Sequence, residues 1–296
     1  MSSPGIGLYL TAAALLAGQT SPATQTPSFR TEARLVVLYA TVTNSRGELV
    51  SNLDRRVFTV LDNGTPQPIT LFRNDDVPVS IGLLIDNSGS MRTRRRDVEA
   101  AALAFARASN PDDELFVLNF ADHWRVDVPM TSNIGAIEAG IARVDSIGGT
   151  ALRDAVQAGE SYLNAHAKWE RRALLVISDG NDNGSTIPAD LLRRALEQSD
   201  TVVFAIGVSG GATNAAAGRS ALRALTERTG GTASFPADDT QLEATAVALA
   251  HQIRTQYTVG YSPMPDAPSG AYRSIRLVVR GPDRYTVRTR AGYRTR

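Results

Sequence analysis

Apolar segments alternate with helix-like segments through the middle of the chain, and this rhythm limits the fold more than any other feature. Four runs of seven or eight residues are almost continuously apolar: VSIGLLID (79–86), ELFVLNF (114–120), RALLVISD (172–179) and TVVFAIGV (201–208). Strands that are apolar on both faces are typical of a parallel sheet with helices on both sides. We therefore predict an α/β fold with a mostly parallel sheet over residues 79–253.

One strand of this sheet should run the other way. The segment HWRVDVP (123–129) follows the run 114–120 after only two residues. A parallel connection needs a crossover of a dozen or more residues. We therefore expect this strand to be antiparallel to its neighbour.

The segments on either side of the α/β region are predicted to be β-structure. Residues 34–78 contain β-branched runs and Asn63-Gly64 between two apolar stretches, which is a strong hairpin signal. Residues 254–296 contain three strand-like segments, and their alternating arginines suit the wet face of a strand better than a nucleic-acid patch. Each flank is too short to bury much core alone. We predict that the two flanks pair into one small β module.

The first 33 residues differ from the rest of the chain. Gly5–Gly18 is an uncharged, alanine-rich run with the length of a secretory h-region, and a tract rich in Ser, Pro, Thr and Gln follows it. The run is too short to span a bilayer as an ordinary helix. We interpret residues 1–33 as a signal peptide and linker, and predict export to the periplasm or the cell exterior. A plain tail is the alternative, because no Lys or Arg precedes Gly5.

Composition excludes several function classes. The chain has no cysteine, which rules out disulfides, zinc–thiolate sites and thiol catalysis, and its three histidines are not in metal-ligand spacing. The formal net charge of +1 gives no whole-chain attraction to nucleic acid or to an acidic membrane.

Polar residues cluster where the predicted parallel strands end. Asp86, Ser88 and Ser90 follow the first strand, Asp179 ends another, and Thr150 follows two glycines at a helix start. Because the carboxyl ends of parallel strands meet at one edge of a sheet, we expect these five residues to converge. Hydroxyl and carboxylate oxygens suit a hard divalent cation. The sequence therefore predicts a metal site with few anionic ligands.

These segments resemble the metal-ion-dependent adhesion site (MIDAS) of von Willebrand factor A-type (VWA) domains. The resemblance rests on D-x-S-x-S at 86–90, the threonine of GGTAL at 150 and the aspartate of ISDG at 179, and it covers about residues 79–253. The flanks are similar, more loosely, to an exported bacterial VWA-related family. The resemblance implies a Rossmann-like sheet and Mg²⁺ or Mn²⁺ bound directly by Ser88, Ser90 and Thr150. Asp86 and Asp179 would act through water, and an acidic side chain of a protein partner would complete the coordination.

Other interpretations of the same residues are an enzyme, a scaffold and simple helix capping. A serine hydrolase would need G-x-S-x-G and a P-loop would need G-x-x-x-x-G-K-[ST], and both are absent. A metal-dependent phosphohydrolase could use Asp86 as nucleophile, but hydroxyls stand where further carboxylates would be needed. Serines that only cap a helix would explain one segment and not three. We favour a binding module, not an enzyme, with a purely structural VWA scaffold as a third possibility.

Two neighbouring features are open to more than one interpretation. Four arginines lie in RTRRR (92–96), where they could attract an acidic partner or form a solvated face. Asp182 and Asn183 could reach the second shell of the ion, but a plain turn is the expected role of the GNDNG loop.

Overall fold

The centre of the molecule is a six-stranded sheet with five parallel strands and one antiparallel edge strand. The structure is a computed structural model that describes Met1 and residues 35–142, 147–208, 215–263 and 268–295. The strand order is β10-β9-β8-β5-β6-β7, and only the β6–β7 pair is antiparallel. The strands are β5 (Ser80–Asp86), β6 (Glu114–Phe120), β7 (Trp124–Thr131), β8 (Arg172–Ser178), β9 (Val202–Gly207) and β10 (Ala233–Ser234). The predicted fold class and the antiparallel strand at 123–129 are thus confirmed.

Helices cover both faces of this sheet, as the continuous apolar strands require. Side chains of α1, α2 and α6 share one buried cluster with the sheet, and side chains of α3, α4 and α5 share the other. Every residue of β5 is buried, with Leu83 facing the first cluster and Leu84 the second. The helices are α1 (Arg95–Ala108), α2 (Ile134–Ile141), α3 (Leu152–His166), α4 (Ala189–Gln198), α5 (Ala215–Thr229) and α6 (Leu242–Arg254).

The two flanks of the chain pair with each other in two four-stranded sheets that enclose a third core. The strand orders are β13-β1-β11-β4 and β14-β12-β2-β3, so each sheet mixes strands from both flanks. The predicted β module is confirmed. Its strands are β1 (Val36–Thr43), β2 (Phe58–Asp62), β3 (Thr65–Gln67), β4 (Ile69–Arg73), β11 (Tyr257–Tyr261), β12 (Tyr272–Val279), β13 (Thr286–Arg288) and β14 (Gly292–Arg294).

A buried carboxylate organises the core of the β module. Asp62 has no exposed surface, and its two oxygens accept hydrogen bonds from Arg273 Nε at 2.7 Å, Tyr261 Oη at 2.9 Å and Tyr293 Oη at 3.3 Å. The hairpin predicted at Asn63-Gly64 joins β2 to β3, and both turn residues have positive φ. The turn and the carboxylate together tie the first flank to the second.

The arginines of the second flank divide into two groups. Arg276 is exposed, as the wet-face interpretation predicts. Arg290 and Arg294 instead form ion pairs with Asp200 and Glu197, which fasten the last strand of the module to the region around α4. Some arginines of this flank therefore form ion pairs within the protein, and others are exposed to solvent.

The predicted signal peptide and linker, residues 1–33, lie outside the described residues apart from Met1. Among the residues that the structure describes, no helix is long and apolar enough to cross a membrane.

Candidate metal centre

Asp86 is the last residue of β5, the strand at which the order of strands in the sheet reverses. β6 lies on one side of β5 and β8 lies on the other. The chain therefore continues from β5 to one edge of the sheet and returns to the other side of β5 to form β8, β9 and β10. Ligands of open α/β sheets bind at such a switch point, beyond the carboxyl ends of the strands. Asp179 directly follows β8, the neighbouring strand. The two predicted carboxylates therefore leave adjacent strands at the same edge.

The three predicted hydroxyl residues line one small cavity at this edge. The cavity has a volume of about 230 Å³, and Ser88, Ser90 and Thr150 form part of its wall. The hydroxyl oxygens of Ser88 and Ser90 lie 3.1 Å apart. Ser88 and Thr150 are buried and Ser90 is exposed, so the cavity joins the interior to the surface.

The two carboxylates lie behind this wall and do not line the cavity. Asp86 is 1% exposed; its Oδ1 accepts a hydrogen bond from the backbone N–H of Ser88 at 2.9 Å, and its Oδ2 accepts one from the hydroxyl of Ser178 at 2.6 Å. The carboxylate of Asp179 accepts two hydrogen bonds from Asn181, at 3.0 Å from the backbone N–H and 2.9 Å from the side-chain amide. The structure thus brings all five predicted residues together, with hydroxyls in front and carboxylates behind.

The carboxylate of Asp86 is held in an environment that disfavours its charge. Burial raises the pKa of Asp86 to about 6, although hydrogen bonds from Ser178 and Ser88 oppose the increase. The nearby carboxylate of Asp179 acts in the same direction as burial. A cation near these two groups would compensate their negative charge, since no cationic side chain in the described part of the chain is among the groups that shift the pKa of Asp86.

The glycine-rich loop before α3 is shaped by a residue that the sequence analysis missed. Asp122 accepts a hydrogen bond from the backbone N–H of Gly149 at 2.6 Å. Gly148 has a φ of 88°, and a Cβ atom there would lie 2.1 Å from Asp122 Oδ2. The loop therefore needs glycine for both its backbone conformation and its contact with Asp122. No local pattern marked Asp122, because its partner lies on a distant loop.

The GNDNG loop does more than turn the chain. Its Asn181, Asp182 and Asn183 line the cavity together with the three hydroxyl residues. Asn183 Oδ1 accepts a hydrogen bond from the N–H of Thr150 at 2.7 Å, and the carbonyl of Thr150 accepts one from the N–H of Asn183 at 3.0 Å. Asp182 pairs with Arg153 across 3.4 Å. Besides turning the chain as expected, this loop therefore fixes the position of Thr150.

The arginine run next to the cavity lies on two elements. Arg92 and Arg94 belong to a 3₁₀ turn (Gly89–Arg94), and α1 begins at Arg95. Arg95 forms an ion pair with Glu99 one helical turn away, at 2.6 Å. Arg96 is exposed.

The chemistry of the donor atoms fits a hard cation. The described residues contain no group of three or more His, Cys, Asp or Glu side chains placed to hold a metal, so a site built mainly from carboxylate or imidazole is not found among them. The cavity wall instead offers three hydroxyls, two asparagine amides and the carboxylate of Asp182. Such oxygen donors suit Mg²⁺ or Mn²⁺ and not a soft, thiolate-binding metal.

Comparison with known proteins agrees with this architecture. Residues 81–181 match the family model of the von Willebrand factor type A domain, a range that contains all five predicted site residues. No curated protein matches the chain. A von Willebrand factor type A structure from Catenulispora acidiphila is 14% identical with a TM-score of 0.52, and the match covers 90% of this chain and 75% of that chain.

A second solved structure is similar over a smaller part of the chain. The vWF domain of the type V pili tip protein Mfa5 from Porphyromonas gingivalis is 11% identical with a TM-score of 0.51, and the match covers 60% of this chain and 95% of that chain. At these identities the structures show a shared fold. The larger coverage of the Catenulispora match extends that likeness beyond the central sheet and its helices.

Proposed function

We propose that the von Willebrand factor type A domain of this chain is a binding module that captures a protein partner through a divalent cation. One observation carries the proposal: hydroxyls from two separate loops, at Ser88, Ser90 and Thr150, line one cavity whose wall is backed by the buried carboxylate of Asp86. Helix capping at a single loop would not bring these hydroxyls together.

Each of the five residues has a distinct role in this proposal. Ser88, Ser90 and Thr150 would hold Mg²⁺ or Mn²⁺ directly, since all three residues line the cavity. Asp86 and Asp179 would supply negative charge from behind the wall and accept hydrogen bonds from water on the ion. A bound divalent ion would supply a positive centre that accepts an oxygen ligand from a second molecule. Neutral hydroxyls leave that positive charge only partly compensated.

The partner is proposed to offer an acidic side chain at the open side of the cavity. Ser90 is exposed there, which gives an incoming carboxylate access. Exposed Arg96 lies a short way along the chain and would favour an acidic partner over a basic one. Because cation and carboxylate would each strengthen the binding of the other, their affinities should be coupled by the same factor in both directions.

The test is a Mn²⁺ titration by calorimetry on the full chain, with and without an acidic peptide. Asp86→Ala and Asp179→Ala should abolish Mn²⁺ binding and peptide capture together, and Ser88→Ala should weaken both less, because water can replace one neutral ligand. Asp190→Ala is the matched control, since Asp190 is an exposed carboxylate on α4 in a surface ion pair with Arg194. Equal Mn²⁺ binding by the wild type and Asp86→Ala would refute the metal site.

A metal-dependent phosphohydrolase is the competing function. It would use Asp86 as nucleophile, but this carboxylate is buried and both of its oxygens are engaged in hydrogen bonds. A nucleophile must reach its substrate. We therefore expect no hydrolysis of p-nitrophenyl phosphate with Mg²⁺ present, and hydrolysis that Asp86→Ala removes would favour the enzyme. A VWA scaffold without a metal function would show no Mn²⁺ binding in any variant.

We also propose that the module acts outside the cytoplasm, on the evidence of the uncharged run Gly5–Gly18. The Mfa5 structure with the same fold is described as a pilus tip protein, a setting compatible with an exported adhesion module. A pull-down from an envelope fraction, with Mg²⁺ in one sample and EDTA in the other, would identify the partner.

A further inference from the structure

A larger cavity lies at the opposite edge of the central sheet, between that sheet and the β module. Its volume is about 850 Å³, within the range of small-molecule sites, and it lies between two separately packed cores, where such sites often occur. Arg171 and Arg172 line it at the beginning of β8, whereas Asp179 follows the end of the same strand. At about 3.3 Å per residue, the cavity is roughly 20 Å from the candidate metal centre.

A buried guanidinium with an unused donor lies at the wall of this cavity. Arg171 is 4% exposed, and its terminal nitrogens donate to the backbone carbonyls of Ile253 and Arg254 at the end of α6. Its Nε has no hydrogen-bond partner in the described part of the chain, and Arg171 forms no ion pair there. A buried donor without a partner is unfavourable, and this Nε–H is covered by the protein, so a small rotation of the guanidinium toward the cavity would let the donor meet a ligand acceptor.

A second arginine repeats the pattern. Nη1 of Arg172 donates to Asn164 Oδ1 at 2.7 Å, but its buried Nε also has no partner among the described residues. Two adjacent arginines at one cavity wall, each with an unused Nε–H, are suited to an anionic oxygen.

The charges around the cavity favour an anion as well. Arg73 and Lys168 add two exposed cations to the two arginines of β8. Three acidic residues also lie at the wall, and one of them, Asp200, already pairs with Arg290 outside it. Glu160 and Glu170 therefore stand against four cations. The remaining balance is positive.

Part of the wall is apolar. Leu35, Val37, Leu71, Val77 and Pro78 line the cavity from the side of the β module and the segment that leads into β5. The ring of Tyr39 lies under the guanidinium of Arg171, with 5.6 Å between its centroid and Cζ. A ligand that fills this space would therefore need an apolar body in addition to an anionic group.

We infer that this cavity binds a small amphipathic organic anion, with its anionic oxygens on Arg171 and Arg172 and its apolar part against the β module. The inference is independent of the proposed metal site, because no residue is shared between the two cavities.

The probe is 1-anilinonaphthalene-8-sulfonate (ANS), an aromatic sulfonate whose fluorescence rises on binding, titrated into the full chain at low salt. We expect one saturable site that octanoate displaces and octanol does not, since only octanoate carries an anionic oxygen. Loss of one charge-assisted hydrogen bond in Arg172→Gln should weaken ANS binding about tenfold. Arg276→Gln is the matched control, because Arg276 is an exposed arginine outside the cavity wall. It should bind ANS as the wild type does.

Folding and metal binding are measured on the same samples. Arg172→Gln should keep the wild-type melting temperature and the wild-type response to Mn²⁺, which separates this site from the metal centre. Arg171→Gln should abolish ANS binding, but it also removes contacts to the end of α6, so Arg172→Gln decides the question. Equal displacement by octanol and octanoate, or unchanged ANS affinity in a folded Arg172→Gln protein, would overturn the inference.

Discussion

Replacing Asp86 with asparagine should stabilise the metal-free protein at neutral pH while it removes divalent binding. Burial raises the pKa of Asp86 from its ordinary value of 3.8 to about 6. Since one pKa unit corresponds to about 1.4 kcal/mol, the ionised carboxylate destabilises the metal-free fold by about 3 kcal/mol. Asparagine carries no charge and keeps the oxygen that accepts from the N–H of Ser88.

Asp86→Asn also removes the acceptor of one hydrogen bond, from the hydroxyl of Ser178. Ser178 donates its hydroxyl proton to Asp86 and accepts from the N–H of Gly180, so an amide nitrogen in place of Oδ2 leaves that proton without an acceptor. This loss is about 1 kcal/mol. The expected net effect of Asp86→Asn is therefore a gain of about 2 kcal/mol in the free energy of unfolding above pH 7.

The pH dependence of stability independently tests whether Asp86→Asn stabilises the fold. The pKa of Asp86 is higher in the folded state than in the unfolded state, so the protonated side chain favours folding. This contribution to the free energy of unfolding is complete below about pH 4 and is lost as the pH rises through about 6. Asp86→Asn lacks this loss. The advantage of the variant should therefore be present at pH 8 and absent near pH 4.

The measurement is urea unfolding in EDTA at pH 8 and at pH 4, followed by circular dichroism. Asp190→Asn, which changes an exposed carboxylate, is the control and should differ from the wild type by less than about 0.5 kcal/mol at either pH. Adding Mn²⁺ at pH 8 should stabilise the wild type and leave Asp86→Asn unchanged. An Asp86→Asn protein that is less stable than the wild type at pH 8 in EDTA would refute the reasoning.

Three further outcomes are expected. Asp62→Ala removes the carboxylate that holds Arg273, Tyr261 and Tyr293, and should lower the free energy of unfolding by about 3–5 kcal/mol. The control Glu48→Ala, at an exposed ion pair, should change this free energy by at most about 1 kcal/mol. Comparable urea midpoints for the two variants would contradict the prediction. Gly148→Ala would bring Cβ against Asp122 at a positive φ and should weaken Mn²⁺ binding in calorimetry more than Gly135→Ala does, since a Cβ at Gly135 meets no atom closer than 3.4 Å. Mature protein from the native host should begin after Gly18, and mass spectrometry that finds intact Met1 on cytosolic protein would count against export.

The central fold could be predicted because its signals are local. A strand buried on both faces must be almost continuously apolar, as β5 is, and a gap of three residues between β6 and β7 excludes a parallel crossover. The hairpin at Asn63-Gly64 could also be predicted from a local signal, since a turn with positive φ at two successive positions favours Asn followed by Gly. Four of the five candidate site residues were found because they end or closely follow a strand whose carboxyl edge faces the site, and Thr150 was found because it follows two glycines at a helix start.

The features that escaped prediction depend on residues far apart in the chain. Asp122 holds the loop at Gly149, and Asp62 accepts from tyrosines near the other end of the sequence, without any local pattern at either carboxylate. The cavity at Arg171 forms only where the β module meets the base of the sheet. Such contacts are decided by tertiary packing, which local spacing does not encode.

The pairing of the two flanks has a consequence for synthesis of the chain. Val36 at the start of β1 lies opposite Tyr261, and Phe58 in β2 lies opposite Val279, so apart from the β2–β3 hairpin the first strands have no partner strand until almost the whole chain exists. The central domain, whose strands and helices lie between Ser80 and Arg254, has all of its own contacts available earlier. Long-range strand pairing is slow, and unpaired strands are prone to association while they wait. A chain that ends before β11 would therefore carry, beside its central domain, the apolar strands β1, β2 and β4 without the strands of the second flank that pair with them.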